Sequence, residues 1–399
     1  VLVGVGTATA AAPVTELMCQ AALAAGLDAG STALLGAVDR IAVPQGSWTL
    51  TDPARTVAAR IGAAGARTYR YEVGVSQQEM INGALVAMAA GEADVVLVVG
   101  GEARAFERAG GSEVDDVAQP PDVTITRPPD FVAPIEIAAR IVWPPVQQYA
   151  LIDNALAHHE QQDATSQRDD IARLWARFNE VAQRNPAAAF RGRKTAADIA
   201  TAGPKNRLLA FPYNVWHSSQ WTVNEADALL LCTEALAREA GIPVDRWVFP
   251  RLALHVSESV TLTARRHLHA WPAMEVLGRA AMERVARPLA TMAIADVYSC
   301  FPAAVRVQQR CLGLDPEGTP TVTGGMTFAG GPFNNYVLSS TAAVARLLRE
   351  QPDEVGLVTT VSGMLSKPGL AVWSCTPAVG SEPLVADLAE QALAATPTC

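Results

Sequence analysis

Over roughly its first hundred residues the chain alternates short apolar runs with longer stretches whose apolar residues recur at helical spacing. LVGVGTAT reads as a strand, VTELMCQAALAAGL as a helix and VDRIAVPQG as a second strand. A helix around Pro53 to Ala64 precedes a third strand, RTYRYEV. The stretch YEVGVSQQEMINGALVAMAAGEADVVLVVGGE then passes from a small-residue turn through an apolar-striped helix into a fourth strand, Asp94–Val99. Such alternation predicts a mostly parallel sheet covered by helices on both faces.

The pattern breaks from about Arg104 to Trp221, where Pro, charge and aromatic residues rise (QPPDV, RPPDF, VWPPVQQY) and helical IDNALAHHEQQ and DDIARLWARFNEVAQRN follow. Strand character returns at DALLLCT, ahead of the helix EALAREAGI. Beyond Pro243 the alternation resumes. WVFPRLALHVSES is a strand, PAMEVLGRAAMERVA a helix, ATMAIADVYSCF a strand and turn, and FPAAVRVQQRCLGL a helix. PTVTGGMTFAGGP reads as a strand leading into a Gly-rich turn, LSSTAAVARLLREQ as a helix, and VGLVTTVSGMLS with GLAVWSC as paired strands. The tail PLVADLAEQALAATPTC reads as a helix or the start of a linker. Two α/β halves of βαβαβ order are therefore expected. Residues 1–105 form the N-terminal half, 106–217 an inserted helical loop domain, 218–245 the return strand and helix, and 246–399 the C-terminal half.

Composition narrows the possible partners. Of 399 residues, 50% are hydrophobic and 18% charged, which suits a well-buried globular chain of two or three domains or one large fused one. A net charge of −9 argues against nucleic acid or an anionic membrane as the main partner, while leaving room for a small anionic ligand on a local basic patch. The longest apolar runs, such as DVVLVVGG, are strand-length and well short of the roughly 20 residues a membrane helix needs. Six cysteines without CxxC spacing point to free thiols in a reducing, cytoplasmic setting. The opening VLVGVGTATAAAPV lacks the basic start of a secretion signal, and its lack of an initiator Met suggests a trimmed chain.

Four turns collect the unusual residues, and each follows a predicted strand: EVGVSQQ, VYSCFPA, GGMTFAGGPFNNY and TVSGMLSKPG. In α/β sheets ligands bind at the carboxyl ends of strands. Together with VVLVVGGEARA, these turns and their spacing resemble the thiolase superfamily over nearly the whole chain. The resemblance is greatest to sterol-carrier-protein-type thiolases and thiolase-like acetyl-CoA acetyltransferases. It implies a thiolase fold, two βαβαβ halves in a five-layer αβαβα arrangement with an inserted loop domain. It also implies a CoA or acyl-CoA ligand that is not a covalently bound cofactor, and a homodimer or tetramer paired through RTYRYEV as an edge strand.

The resemblance further implies where chemistry belongs. The family's nucleophilic Cys falls on Gly74, with Ser76 matching the Ser of that motif. The Asn or His that holds a water over the thioester oxygen falls on Tyr298, within Tyr298-Ser299-Cys300-Phe301. The His base falls on Gly331, the acid/base Cys on Val361, and the oxyanion glycine on Gly363. Acyl transfer needs a thiolate and a base, and carbon–carbon chemistry a second proton acceptor. Gly74, Gly331 and Val361 supply none. The main-chain N–H groups of Gly74 and Gly363 still offer an oxyanion pocket.

Other residues carry two readings each. Cys300 is either a packed thiol or a nucleophile without a nominated base. Tyr298 either satisfies its turn or contacts a ligand as donor or acid/base. Ser76 either caps its helix or meets the ligand, Asn334 and Asn335 are expected to cap the helix after them, and Tyr336 is a weaker site candidate. His217 is structural or faces the pocket. The basic stretches Arg191, Arg193, Lys194 and Lys205, Arg207 either hold CoA phosphates or are solvated surface. No metal site is expected. Three functions follow from these readings. The chain binds CoA thioesters without ordinary thiolase chemistry; or it is a retro-aldol lyase on a β-hydroxyacyl-CoA using Tyr298, like thiolase relatives that act with a small OB-fold partner; or it is a non-catalytic scaffold that docks a partner.

Overall fold

The run Val95–Val99 is fully buried, so both of its faces must be covered. A computed structural model, describing residues 1–127, 144–258, 260–377 and 384–399, shows how. Residues 128–143 of the expected insertion, including most of RPPDF, lie outside the described residues. The first sheet runs β1 (Leu2–Ala8), β8 (Asn224–Cys232), β4 (Val95–Ala103), β2 (Arg40–Pro44), β3 (Arg67–Tyr71) and β5 (Val123–Ile125). The second runs β10 (Ile294–Asp296), β11 (Val355–Ser362), β12 (Lys367–Ser374), β9 (Phe249–His255) and β13 (Leu384–Asp387). A small hairpin of β6 (Leu208–Ala210) and β7 (Tyr213–Asn214) belongs to the insertion. Each of the two large sheets mixes parallel pairs with two antiparallel ones.

Two helices, Gln77–Ala89 and Tyr336–Glu350, lie between the sheets and touch strands of both. Burial on two sides explains why even the first turn, Gln77, Gln78 and Glu79, is buried. Its polarity is used internally. Gln77 Oε1 accepts from the N–H of Val337 at 2.8 Å, tying one central helix to the start of the other. Glu79 pairs with Arg127 at 2.6 Å. Close approach to the second sheet needs a residue without a side chain, since a Cβ on Gly369 of β12 would lie 2.4 Å from Gln78 Cβ. Outside, Val14–Asp28 and Pro53–Ile61 cover the first sheet and Pro272–Val285 the second, completing the αβαβα layers.

Three expectations need correction. No strand forms at 320–323. The side chain of Asp296 takes the N–H groups of Val322 and Thr323 at 2.9 and 3.0 Å, bonds a neighbouring strand would otherwise supply. The tail begins as β13, because the open edge of β9 accepts it in parallel register, and turns helical only at Ala389–Ala395. RTYRYEV is not an edge. β5, from within the expected insertion, pairs with Tyr69–Tyr71 on its outer side. Asp122 takes the Thr68 N–H at 2.8 Å, and Glu72 donates to the Ile125 carbonyl at 2.9 Å.

Pairing of two β3 strands across a two-fold axis thus requires β5 to leave. Light scattering is expected to read the mass of one chain; twice that mass would mean that β5 gives way or that another surface associates.

Candidate functional site

The four turns singled out in the sequence converge. Gly74 follows β3, Tyr298 and Cys300 follow β10, Gly331 precedes the helix Tyr336–Glu350, and Val361 with Gly363 closes β11. All six residues line one cavity of about 710 Å³, joined by Ser76, Gln77 and Arg207. Its remaining wall is largely apolar and aromatic, including Val146, Leu209, Trp221, Phe301 and Phe333. The N-terminal half, the insertion and the C-terminal half all contribute.

A clamp fixes the Gly74 turn. Lys367, 1% exposed at the start of β12, donates from Nζ to the Gly74 carbonyl, and Ser362 Oγ donates to the same oxygen at 3.4 Å. Gly74 has φ +108°, a conformation that favours glycine. Ser76 caps the helix Gln77–Ala89, its Oγ accepting from Glu79 N–H at 3.1 Å, while still reaching the cavity wall. Among the described residues, no hydrogen-bond acceptor takes the N–H of Gly74 or of Gly363. Unpaired amides at a cavity wall and helix start favour a ligand oxygen carrying negative charge.

The protic side chains are held neutral. Burial drives the Tyr298 phenol far above its usual range, with the nearby Cys300 adding to the effect. Burial likewise pushes the Cys300 thiol up to about 12, so it holds virtually no thiolate at neutral pH. The Tyr298 hydroxyl has no hydrogen bond among the described residues, and its ring meets Tyr336 edge-on at 5.9 Å. Tyr298 is thus equipped to donate rather than to remove a proton. Behind the Gly330–Gly331 turn lies a buried carboxyl pair on β8. Burial raises Asp227 to about 6, and burial plus the Asp227 charge raises Glu225 well above an ordinary carboxylate.

Several candidates stand elsewhere. Arg191, Arg193, Lys194 and Lys205 are not on the cavity wall, and Lys194 lies over the Trp216 ring at 4.3 Å. His217 is buried behind the cavity; its Nδ1 accepts from Asn214 N–H at 2.8 Å, and burial lowers it to about 4, keeping it neutral. Tyr336 donates to Asp296 at 2.8 Å and braces the loop. Asn335 occupies the cap position but makes no cap bond, giving its amide to Asp227 at 2.9 Å, while Asn334 donates to the Gln45 carbonyl. Among the described residues no three His, Cys, Asp or Glu side chains converge on a cation site.

Sequence reasoning missed four residues. Tyr149, on the insertion helix Pro145–His159, and Ser219, on the segment returning from the insertion, reach the wall only through tertiary folding. Arg108, exposed at the end of the helix Arg104–Arg108, joins Arg207 on the wall, and neither is paired with a carboxylate among the described residues. Lys367 did leave a signal, as a lone cation between two apolar strands.

No family model matches the chain, and no curated protein matches it by sequence. Solved structures do. A monomeric SCP2-thiolase-like protein type 1 from Mycobacterium smegmatis shares 28% identity at TM-score 0.82, over 100% of this chain and 81% of that one. The chain belongs to the thiolase superfamily. An Ltp2–ChsH2(DUF35) aldolase (19% identity, TM-score 0.71, 94% of this chain and 97% of that one) shares the fold. So does human mitochondrial 3-ketoacyl-CoA thiolase (15%, 0.67, 94% and 98%). The superfamily's five-layer architecture is the one found here.

Gly331, the position that the sequence resemblance matches to the thiolase base, is crowded. A Cβ on Gly331 would lie 1.9 Å from Ser219 Oγ and 3.2 Å from the Met326 carbonyl. Gly331→His is expected to cost about 1–3 kcal/mol in chemical denaturation, and Ser219→Gly to recover most of the loss. A single Gly331→His variant as stable as the parent would show that the space is open after all.

Proposed function

We propose that the chain binds a coenzyme A thioester in this cavity and does not perform the cysteine-based acyl transfer of ordinary thiolases. The observation that carries the reading is that Gly74 and Gly363, whose N–H groups meet no acceptor among the described residues, both line one largely apolar cavity. Those N–H groups suit a thioester oxygen, which gains negative character when polarised. Gly74, Gly331 and Val361 have no ionisable group, and Cys300 is held as a thiol. A covalent acyl-enzyme therefore lacks both its nucleophile and its base. Arg108 and Arg207 are the cations placed to meet the phosphates of the carrier, in place of the larger basic set expected from the sequence.

A second reading, carbon–carbon cleavage of a β-hydroxyacyl-CoA, is favoured by one feature. Tyr298 brings to the same cavity wall a phenol without a hydrogen bond among the described residues, and a structural neighbour is named as an aldolase. That neighbour is named together with a DUF35 chain, so a partner belongs to the reading. Burial restricts Tyr298 to donating toward the developing enolate oxygen, so the base for the β-hydroxyl proton is a separate group.

Calorimetry with CoA and acetyl-CoA, followed by intact mass measurement, tests the first reading. Saturable binding below millimolar ligand without gain of an acetyl group is expected. Arg108→Gln and Arg207→Gln each weaken CoA by about 3- to 10-fold while leaving pantetheine binding unchanged. No binding at millimolar ligand, or an acetylated cysteine, removes it.

A further inference from the structure

We propose that Tyr149 is a second ligand-contacting hydroxyl of this cavity, acting with Tyr298 to grip and polarise the thioester oxygen. The inference rests on the preceding reading that a thioester occupies the site, and it assigns a role to a residue outside all four sequence turns.

Position comes first. Tyr149 is 2% exposed, yet it lines the cavity. Its ring stacks on Phe301 with centroids 4.7 Å apart and planes inclined by 21°. The helix beneath is bolted to Pro302–Cys311. Arg306 pairs with Asp153 and, at 3.1 Å, with Glu160, while Tyr213 donates to Asp153 at 2.5 Å and accepts from Ala303 N–H at 3.2 Å. The hydroxyl is therefore delivered by a rigid support, as a group meant to meet a ligand should be.

Its bonding comes second. The phenol donates to the Gly363 carbonyl at 3.3 Å, and its oxygen sits near the Leu365 N–H and the Cys300 thiol. The Gly363 contact is long for a phenol, whose O–H···O bonds cluster near 2.7–2.8 Å. A ligand oxygen arriving at ordinary distance outcompetes it. Tyr149 thereby touches the Gly363 turn close to Cys300, at a residue whose own N–H meets no acceptor among the described residues. Burial holds the phenol protonated, so it remains a donor across the physiological range. The ligand class is an oxygen of rising negative charge, the carbonyl of an acyl thioester or the enolate derived from it.

Tyr149→Phe keeps the Phe301 stack and removes only the hydroxyl. The readout is the infrared carbonyl stretch of a bound acyl-CoA carrying ¹³C at the thioester carbon, measured with its affinity. In the parent protein the band lies below its solution value. In Tyr149→Phe it returns part of the way and affinity falls by about 3- to 10-fold. A ring fluorinated beside the hydroxyl, a stronger donor of nearly the same shape, moves the band further down and covers the case of a poorly folding Phe variant. An unchanged band in both variants overturns the proposal and leaves the binding reading intact. Absence of any bound thioester in the parent protein removes both.

Discussion

The Gly74 carbonyl, held by Lys367 across the gap between two sheets, is the constraint on which the site depends. It joins the turn after β3 to the hairpin of β11 and β12, so the two halves place their strand ends around one cavity. A buried ammonium is costly unless hydrogen-bonded, and satisfying it on a main-chain oxygen fixes the turn without using a side chain from it. Gly74 is then free to be glycine, in a conformation that other residues resist. Backbone geometry, more than side-chain chemistry, shapes this wall.

Neutral protic groups dominate what remains. Tyr149, Tyr298 and Cys300 are each kept protonated by burial. A cavity of this kind polarises an oxygen through hydrogen bonds and cannot generate an attacking thiolate. Ser219 crowds Gly331, its Oγ lying 1.9 Å from where a Cβ would stand. The insertion thus shapes the site as much as the two halves do, supplying Tyr149 from its helix and Arg207 beside its hairpin.

Much of the fold was legible in sequence because hydrophobic period reports burial directly. The wholly apolar VVLVV had to be a doubly covered strand, and Ser76 announced its helix start. What stayed hidden is what depends on long-range competition. Whether PTVTGG is a strand depends on Asp296, which takes its N–H groups. Whether RTYRYEV is an edge depends on β5, whose Val-Thr-Ile alternation is only three residues long, too short to stand out as a strand. The site divides in the same way. Turns after strands could be read from spacing, whereas Tyr149 and Ser219 arrive from segments whose distance along the chain says nothing of where they end up.

The most direct measurement is a crystal structure with a non-cleavable acyl-CoA analogue bound. The account predicts the carbonyl oxygen at about 3 Å from the N–H groups of Gly74 and Gly363, with the acyl carbon bonded to no protein atom. An acyl group covalently attached to Cys300, or a thioester lodged away from both glycines, would contradict it.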